Sequence, residues 1–332
     1  MSKLRLAVIG VGHLGQVHAR LLSQVDGVEL VAVVDPAESA RAAASVELKV
    51  TAFAEHAPLL DQIDAAIIAA PSRLHHGVAL DLLQHGIHVF VEKPITLHSA
   101  EAMVLTDAAK NAGLVLQVGH IFRFDPASVW LREAIAQGRF GQLKMLRAQF
   151  SGFKRPRPDT GVTFADSIHF IDLLNFLLGT SPRRVHAVLR DFLERGIDDE
   201  SLIVLEYDRG DGVAILATVE AGYHSPGKVR EVIIVGKDSS AICDYNVAQY
   251  KIKTFDNRHA ADSSTIKAIE GAVHQLEFTP EEPLRAELAA FVDSIENRSQ
   301  PLVDGLDGVK AIRVVEAALE SARTGKWIDI SE

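Results

Sequence analysis

The stretch Leu4-Arg5-Leu6-Ala7-Val8-Ile9-Gly10-Val11-Gly12-His13-Leu14-Gly15, LRLAVIGVGHLG, decides how the first part of this chain folds. Leu4–Ile9 is a short apolar run that ends at a glycine, as a buried strand does before a tight turn. A helical pattern follows over Leu14–Ser23. A second apolar run, Val28–Val34, ends at Asp35, 20 residues beyond Gly15. A G-x-G-x-x-G string between strand and helix, with an acidic residue at that distance, is the pattern of a dinucleotide fold. Gly10 permits the turn, Gly12 lets backbone approach a pyrophosphate, and Gly15 lets helix pack on strand. His13 and Leu14 open the helix, whose unpaired N–H groups face the phosphates. Asp35 accepts from the ribose hydroxyls and repels a 2′-phosphate, so the cofactor expected is NAD rather than NADP. Arg41 lies close enough in sequence to soften that preference.

The same alternation continues outward. Further apolar runs at Ala65–Ala70, Ile87–Val91 and Leu114–Val118 are separated by helical patterns at Glu38–Ser45, His75–His85 and Ser99–Ala112. Strands apolar on both faces and divided by helices predict a doubly wound parallel sheet. After about residue 120 the pattern changes. A helix at Ala127–Gln137 precedes β-like runs at Leu143–Phe150, Arg184–Arg190, Ser201–Tyr207, Gly212–Ala221, Val229–Val235 and Tyr250–Phe255. The turn Asp208-Arg209-Gly210-Asp211-Gly212 suits a hairpin. Helices are expected at Ser167–Leu178, Leu284–Glu296 and Gly308–Thr324, while 257–276 fits no element. The fold class expected is α/β: a nucleotide-binding domain over 1–121, then an α+β domain over 122–332 with a large, open, mostly antiparallel sheet. An open sheet face is often covered by a second copy, so a homodimer or homotetramer through that sheet is expected.

Composition narrows the function. The chain has 332 residues, 48% hydrophobic and 23% charged, which is ordinary for a globular protein. Its formal net charge of −10 has the wrong sign for a nucleic-acid or anionic-membrane partner. The single cysteine, Cys243, leaves no internal disulfide framework and fits a reducing cytoplasm. No signal-peptide pattern and no membrane-length apolar run is present. Fourteen histidines are scattered without a ligand cluster, so no metal is expected.

Three further places carry chemistry. Pro71 and Ser72 follow the third long strand and fall at the carboxyl edge of the sheet, where open α/β sheets bind ligands. Ser72 suits the nicotinamide half of the cofactor and equally suits a cap for the helix that begins at His75. Val91-Glu92-Lys93-Pro94 ends another strand at that edge, with Lys93 stiffened by the proline after it. Its plainer reading is an ion pair with Glu92. Asp166, His169 and Asp172, spaced i, i+3, i+6, begin on one stripe of a very apolar helix. Asp166 there is also an N-cap candidate and Asp172 a buried ion-pair candidate, while the carboxylates could orient His169.

With these residues in view, the chain resembles the glucose–fructose oxidoreductase / inositol dehydrogenase / MocA family along its whole length. The resemblance is carried by Gly10–Gly15, Glu92-Lys93-Pro94, Val118-Gly119-His120, Arg123-Phe124-Asp125-Pro126, Ile168-His169-Phe170-Ile171-Asp172, Glu282-Pro283-Leu284-Arg285 and Asp304-Gly305. It implies a nicotinamide enzyme acting on a secondary alcohol of a sugar or cyclitol. The role implied for Lys93 is contact with the nicotinamide and the reacting hydroxyl, and for His169 that of general acid/base. Pro71, Ser72, His75 and Glu92 count with the cofactor site and Arg123 with the substrate site. The family's usual aspartate falls at Ala165, and Asp166 stands one residue later. Val118–Phe124 and Glu281–Leu288 resemble members acting on nucleotide-linked amino sugars. The basic loop Lys154-Arg155-Pro156-Arg157 suits a substrate phosphate or a solvated surface. A free-sugar or cyclitol dehydrogenase, an imine or enone reductase on the same fold, and a catalytically silent NAD-binding sensor are the competing expectations.

Overall fold

The computed structural model describes residues 3–208, 213–262 and 264–330. Residues 209–212 of the expected hairpin turn lie outside them. The described chain forms two compact units.

The first unit opens with β1 (Leu4–Ile9), α1 (His13–Leu22), β2 (Val28–Val34), α2 (Glu38–Leu48), β3 (Thr51–Phe53) and β4 (Ala65–Ile68). It continues with α3 (His75–Gln84), β5 (His88–Glu92), α4 (Ser99–Ala112) and β6 (Leu116–Gly119). All six strands are parallel, in the order β3-β2-β1-β4-β5-β6. The order reverses beside β1, the switch point at which such sheets bind ligands. Val34, Ile9, Ile68 and Val91 are level across four adjacent strands. The residues just beyond them therefore share one carboxyl edge.

In the second unit, α5 (Pro126–Ala136) precedes β7 (Leu143–Gly152), and α6 (Ile168–Leu178) precedes β8 (Arg184–Arg190), β9 (Glu200–Tyr207) and β10 (Ile215–Gly222). Then come β11 (Lys228–Gly236), β12 (Ser240–Asp244), β13 (Ile252–Phe255), β14 (Arg258–Asp262), β15 (Thr265–Ile269) and β16 (Val273–Leu276). The chain ends with α7 (Pro283–Glu296), α8 (Gly305–Thr324) and β17 (Ile328–Asp329). Nine strands form one sheet, β16-β13-β12-β11-β7-β10-β9-β8-β17. Only β7 and β10 pair in parallel. The stretch 257–276, which fits no element by pattern, holds the separate hairpin β14–β15 and the edge strand β16.

The division of the chain differs from a single cut at 121/122. The first unit is Met1–Phe124 with Glu282–Ile312, and the second is Asp125–Glu281 with Arg313–Glu332. The cause lies in α7. Its stripe Leu284, Leu288, Phe291 and Val292 is buried in the same core as Leu6, Val8, Leu22, Val33 and Phe90. Phe291 meets Phe90 edge-on at 5.9 Å, and Val118 donates its N–H to the carbonyl of Val303 at 3.1 Å. Periodicity reveals that α7 is amphipathic, but not which core receives its apolar face.

Candidate active-site residues in the two units

In the first unit the glycine turn joins β1 to α1. Gly10 has φ +88°, and a Cβ there would lie 2.7 Å from the Ala70 nitrogen. A Cβ on Gly15 would lie 1.8 Å from the Gly10 carbonyl oxygen, so helix and turn touch through bare backbone. Gly12 is different: a Cβ there would meet nothing within 4 Å, which leaves room above it. Helix α1 has Gly12 at its N-cap, no side-chain cap and no acidic residue in its first turn. His13 and Leu14 supply its first backbone N–H groups. An uncapped helix N-terminus over an open glycine is the cradle a pyrophosphate needs. Asp35 stands at the end of β2, where its carboxylate accepts from the N–H of Val11 at 3.0 Å and of Ala37 at 2.9 Å. Those bonds fix its carboxylate beside the turn. Arg41 is tied to the Pro36 carbonyl at 2.8 Å. These residues fit a nicotinamide dinucleotide.

The next strand ends complete this edge. Pro71 and Ser72 follow β4; Ser72 is buried in a short 3-10 turn, and the N-cap of α3 is Leu74, with no side-chain capping bond. His75 is also buried. One ring nitrogen lies 2.8 Å from the Pro94 carbonyl and the other 2.9 Å from the Ala70 carbonyl. His75 thus links the two loops that flank Ser72 and Lys93. Glu92 ends β5 and Lys93 follows it, both buried, and the Lys93–Pro94 peptide is cis. The Lys93 N–H donates to Glu92 Oε2 at 3.1 Å, and Glu92 Oε1 lies 2.7 Å from His18 Nε2. Burial alone would raise the Glu92 carboxyl. The hydrogen bond and charge of His18, with the charge of Lys93, outweigh it and hold the group below the usual carboxylate range. Arg123 is an interior residue of this unit, paired with Asp307 at 2.9 Å.

His18 is absent from the sequence reading. Its signal was available: it lies on the stripe of α1 that also carries the buried Leu21 and Leu22. A histidine there needs a polar partner.

In the second unit α6 is buried along its length except at His169. A π-helical turn, Thr163–Ser167, leads into it, a distortion frequent at functional sites. Ala165, where the family's aspartate was expected, is in that turn and buried. Asp166 is also in it, buried, with Oδ2 2.5 Å from Lys154 Nζ. Asp172 lies deep in α6, where its charge adds to burial in raising the Tyr207 phenol. His169 stacks on Phe150 of β7, with ring centroids 5.2 Å apart and planes 15° apart.

Lys154 ammonium lies over the Phe150 and Tyr223 rings, at 4.9 and 5.3 Å. Burial lowers its pKa, with Arg230 and Arg157 adding to the effect and Asp166 opposing it. Burial also raises the Tyr223 phenol, and Asp166 adds to it. Arg155 is exposed, and Arg157 is held by a bond from Arg195 Nη1 to its carbonyl at 2.7 Å. Arg230, like His18, belongs to no motif in the sequence. It is buried and lies 3.4 Å over Phe150. On β11 it shares a face with Val232 and Ile234, so strict alternation marks it as inward-pointing.

Among the described residues no group of three or more His, Cys, Asp or Glu is placed to hold a metal, and no helix is long and apolar enough to cross a membrane. Residues 4–120 match the family model for an oxidoreductase family with an NAD-binding Rossmann fold, and residues 132–330 match its C-terminal alpha/beta domain. The chain belongs to this oxidoreductase family. It resembles scyllo-inositol 2-dehydrogenase (NAD(+)) of Bacillus subtilis, 29% identical over 99% of this chain and 96% of that one. It resembles UDP-N-acetylglucosamine 3-dehydrogenase of Acidithiobacillus ferrooxidans at 30% identity over 96% of each. A solved structure of the latter enzyme superposes with TM-score 0.82 at 28% identity, covering 98% of this chain and 99% of that chain. D-xylose 1-dehydrogenase (NADP(+)) 2 of Haloferax volcanii is 26% identical over 98% of this chain and 100% of that one. The chain is thus a nicotinamide-dependent oxidoreductase acting on CH–OH groups, and its relatives divide between NAD and NADP.

Proposed function

We propose that this enzyme oxidises a secondary alcohol of a nucleotide-linked sugar, most specifically an amino sugar, with NAD. The observation that carries this reading is the cationic group on the second unit. Lys154, Arg157 and Arg230 gather near one carboxylate, Asp166, beside His169, in a chain of net charge −10. A diphosphate has a use for such a surface; a neutral polyol has none. Asp35, a fixed carboxylate at the end of β2, supports NAD.

A nicotinamide held at the glycine turn would supply the hydride acceptor for the carbinol carbon. The chain's own residues handle the proton and the geometry. His169 takes the hydroxyl proton as the general base. The role proposed for Lys93 is that of a hydrogen-bond donor at the carboxyl edge of the nucleotide-binding sheet, steadying charge that develops on a substrate oxygen. Glu92, His18 and His75 hold Lys93 and its loop in place. Asp35 and the α1 N-terminus would hold the dinucleotide. Lys154 and Arg155 meet the substrate phosphates.

A second reading has one observation in its favour. Lys154 is already neutralised by Asp166, which suits a substrate without phosphate, such as a cyclitol. NADH formation across UDP-amino sugars, UDP-hexoses, free sugars and inositols separates the two. We expect turnover on a UDP-amino sugar. Lys154→Met should raise its KM about 10- to 100-fold, the worth of one charged hydrogen bond. Turnover confined to inositols or free sugars, indifferent to Lys154→Met, would overturn the nucleotide-sugar reading.

A further inference from the structure

We infer that Arg230 is a positioning residue for His169, acting through the Phe150 ring to hold the histidine in its neutral, proton-accepting form. This deepens the proposal above and rests on its assignment of His169 as the base.

Arg230 is 8% exposed, and the carboxylate that acts on it, Asp166, does so through space and not by a hydrogen bond. Its Nη1 instead donates to the carbonyls of Ser151 at 2.8 Å and Val229 at 2.5 Å. A buried guanidinium satisfied by neutral carbonyls keeps its whole charge, because arginine does not deprotonate in proteins. That charge lies 3.4 Å over the centre of Phe150, while His169 stacks near-parallel on the same ring at 5.2 Å. Two planar groups so close to one ring centre would collide on a single face. The order is therefore Arg230, Phe150, His169, a three-layer stack in which the cation faces the histidine through the ring. The ring's electron density is drawn toward the guanidinium, so it offers less to an imidazolium on its other side.

The other charged groups around His169 do not replace this effect. Lys154, at the end of β7, and Asp166, in the π-helical turn, are opposite charges paired with each other. Tyr223, after β10, is an uncharged phenol kept so by burial. Asp172, three residues further along α6, is a buried carboxylate of the opposite sign. Arg230 on β11, which Asp166 reaches through space while pairing with Lys154, is the cation that opposes it across the ring. At an effective dielectric constant of about 20, a unit charge about 8 to 9 Å away is worth roughly one pH unit on the histidine.

The test follows His169 directly. Histidine ring carbons labelled with 13C are titrated by NMR in wild type, Arg230→Met and Arg230→Lys, with the His169 signal assigned by its loss in His169→Gln. We expect the His169 midpoint to rise by about one pH unit in Arg230→Met and to return in Arg230→Lys. The acid limb of kcat/KM should move with it. One unit below the wild-type midpoint Arg230→Met should lose about 10-fold in rate, with the alkaline plateau kept. Arg230→Gln, which retains a donor for the Ser151 carbonyl, serves if the methionine variant does not fold. An unchanged His169 midpoint in the folded neutral variants would overturn the inference, even if activity fell. The base assignment fails separately, through full turnover in His169→Gln.

Discussion

Replacing His18 by leucine tests whether the support beneath Lys93 is electrostatic. His18 is fully buried, with Nε2 2.7 Å from Glu92 Oε1 and its ring edge-on to Phe90 at 5.4 Å. Leucine fills similar volume and removes the donor. Glu92 then keeps the N–H and the charge of Lys93 but loses the bond that does most to offset its burial. Breaking a buried pair costs about 3 to 5 kcal/mol. The remaining Lys93 contacts place the expected loss at the lower end, about 3 kcal/mol. The sign with pH follows from the wild-type Glu92, whose folded value is depressed. Its contribution is present above the unfolded carboxyl value of about 4.3 and is lost as pH falls through the folded value. In the variant, burial goes less opposed and the carboxyl takes up a proton at higher pH. The deficit should therefore be largest at pH 8 and narrower at pH 5.5. Urea unfolding of wild type, His18→Leu, Glu92→Gln and the double variant at both pH values reads this. The double variant should recover much of the loss, because removing both partners leaves no orphaned charge. A deficit under about 1 kcal/mol at pH 8, or one equal at both pH values, would refute the reasoning.

Three other outcomes are expected. Gly12→Ala should fold with wild-type stability yet weaken NAD binding at least about 10-fold, because its Cβ has space only while no pyrophosphate is seated there; Gly15→Ala should lose stability as well, since its Cβ would lie 1.8 Å from the Gly10 carbonyl oxygen. Thermal melts with and without NAD compare them, and equal stability of the two variants would contradict the packing described. Lys93→Met should lower kcat by about 10² to 10⁴, the range for a group acting on the transferred proton, while NAD affinity measured by NADH fluorescence stays within a few-fold. Asp35→Ser should weaken NAD by about 10- to 100-fold, one charged hydrogen bond, and narrow the preference over NADP. Unchanged NAD affinity in that variant would remove Asp35 from the ribose.

The parallel sheet was legible because it rests on local rules. Glycine spacing, apolar runs and the acidic end of β2 each act within a few residues, and they agree. The strand-end positions of Asp35, Ser72 and Lys93 follow from the same rules. What escaped depends on distant partners. The fate of α7 turns on which core accepts Leu288 and Phe291. The relation of Asp166 to His169 turns on a π-helical turn that the stripe spacing does not encode. His18 and Arg230 were overlooked for a simpler reason: each breaks an apolar pattern by one polar residue, at a place where the pattern itself says inward. The hairpin β14–β15 is largely exposed and mixes apolar with polar residues, so no buried face marks it in the sequence.

The return of residues 282–312 to the first unit has a consequence for how the protein is made. Gly10–Gly15 and Asp35 precede the second unit in the sequence, yet the apolar side that Phe291 covers is closed by a segment that follows it. We expect a fragment ending at Phe124 to expose that side and to be a poor binder of nicotinamide dinucleotide in isolation, which equilibrium dialysis of the fragment would check. The second unit is interposed in the first, so its strands are synthesised and available to pair before the nucleotide fold can close. A nucleotide fold built from two separated segments closes only once both are in place.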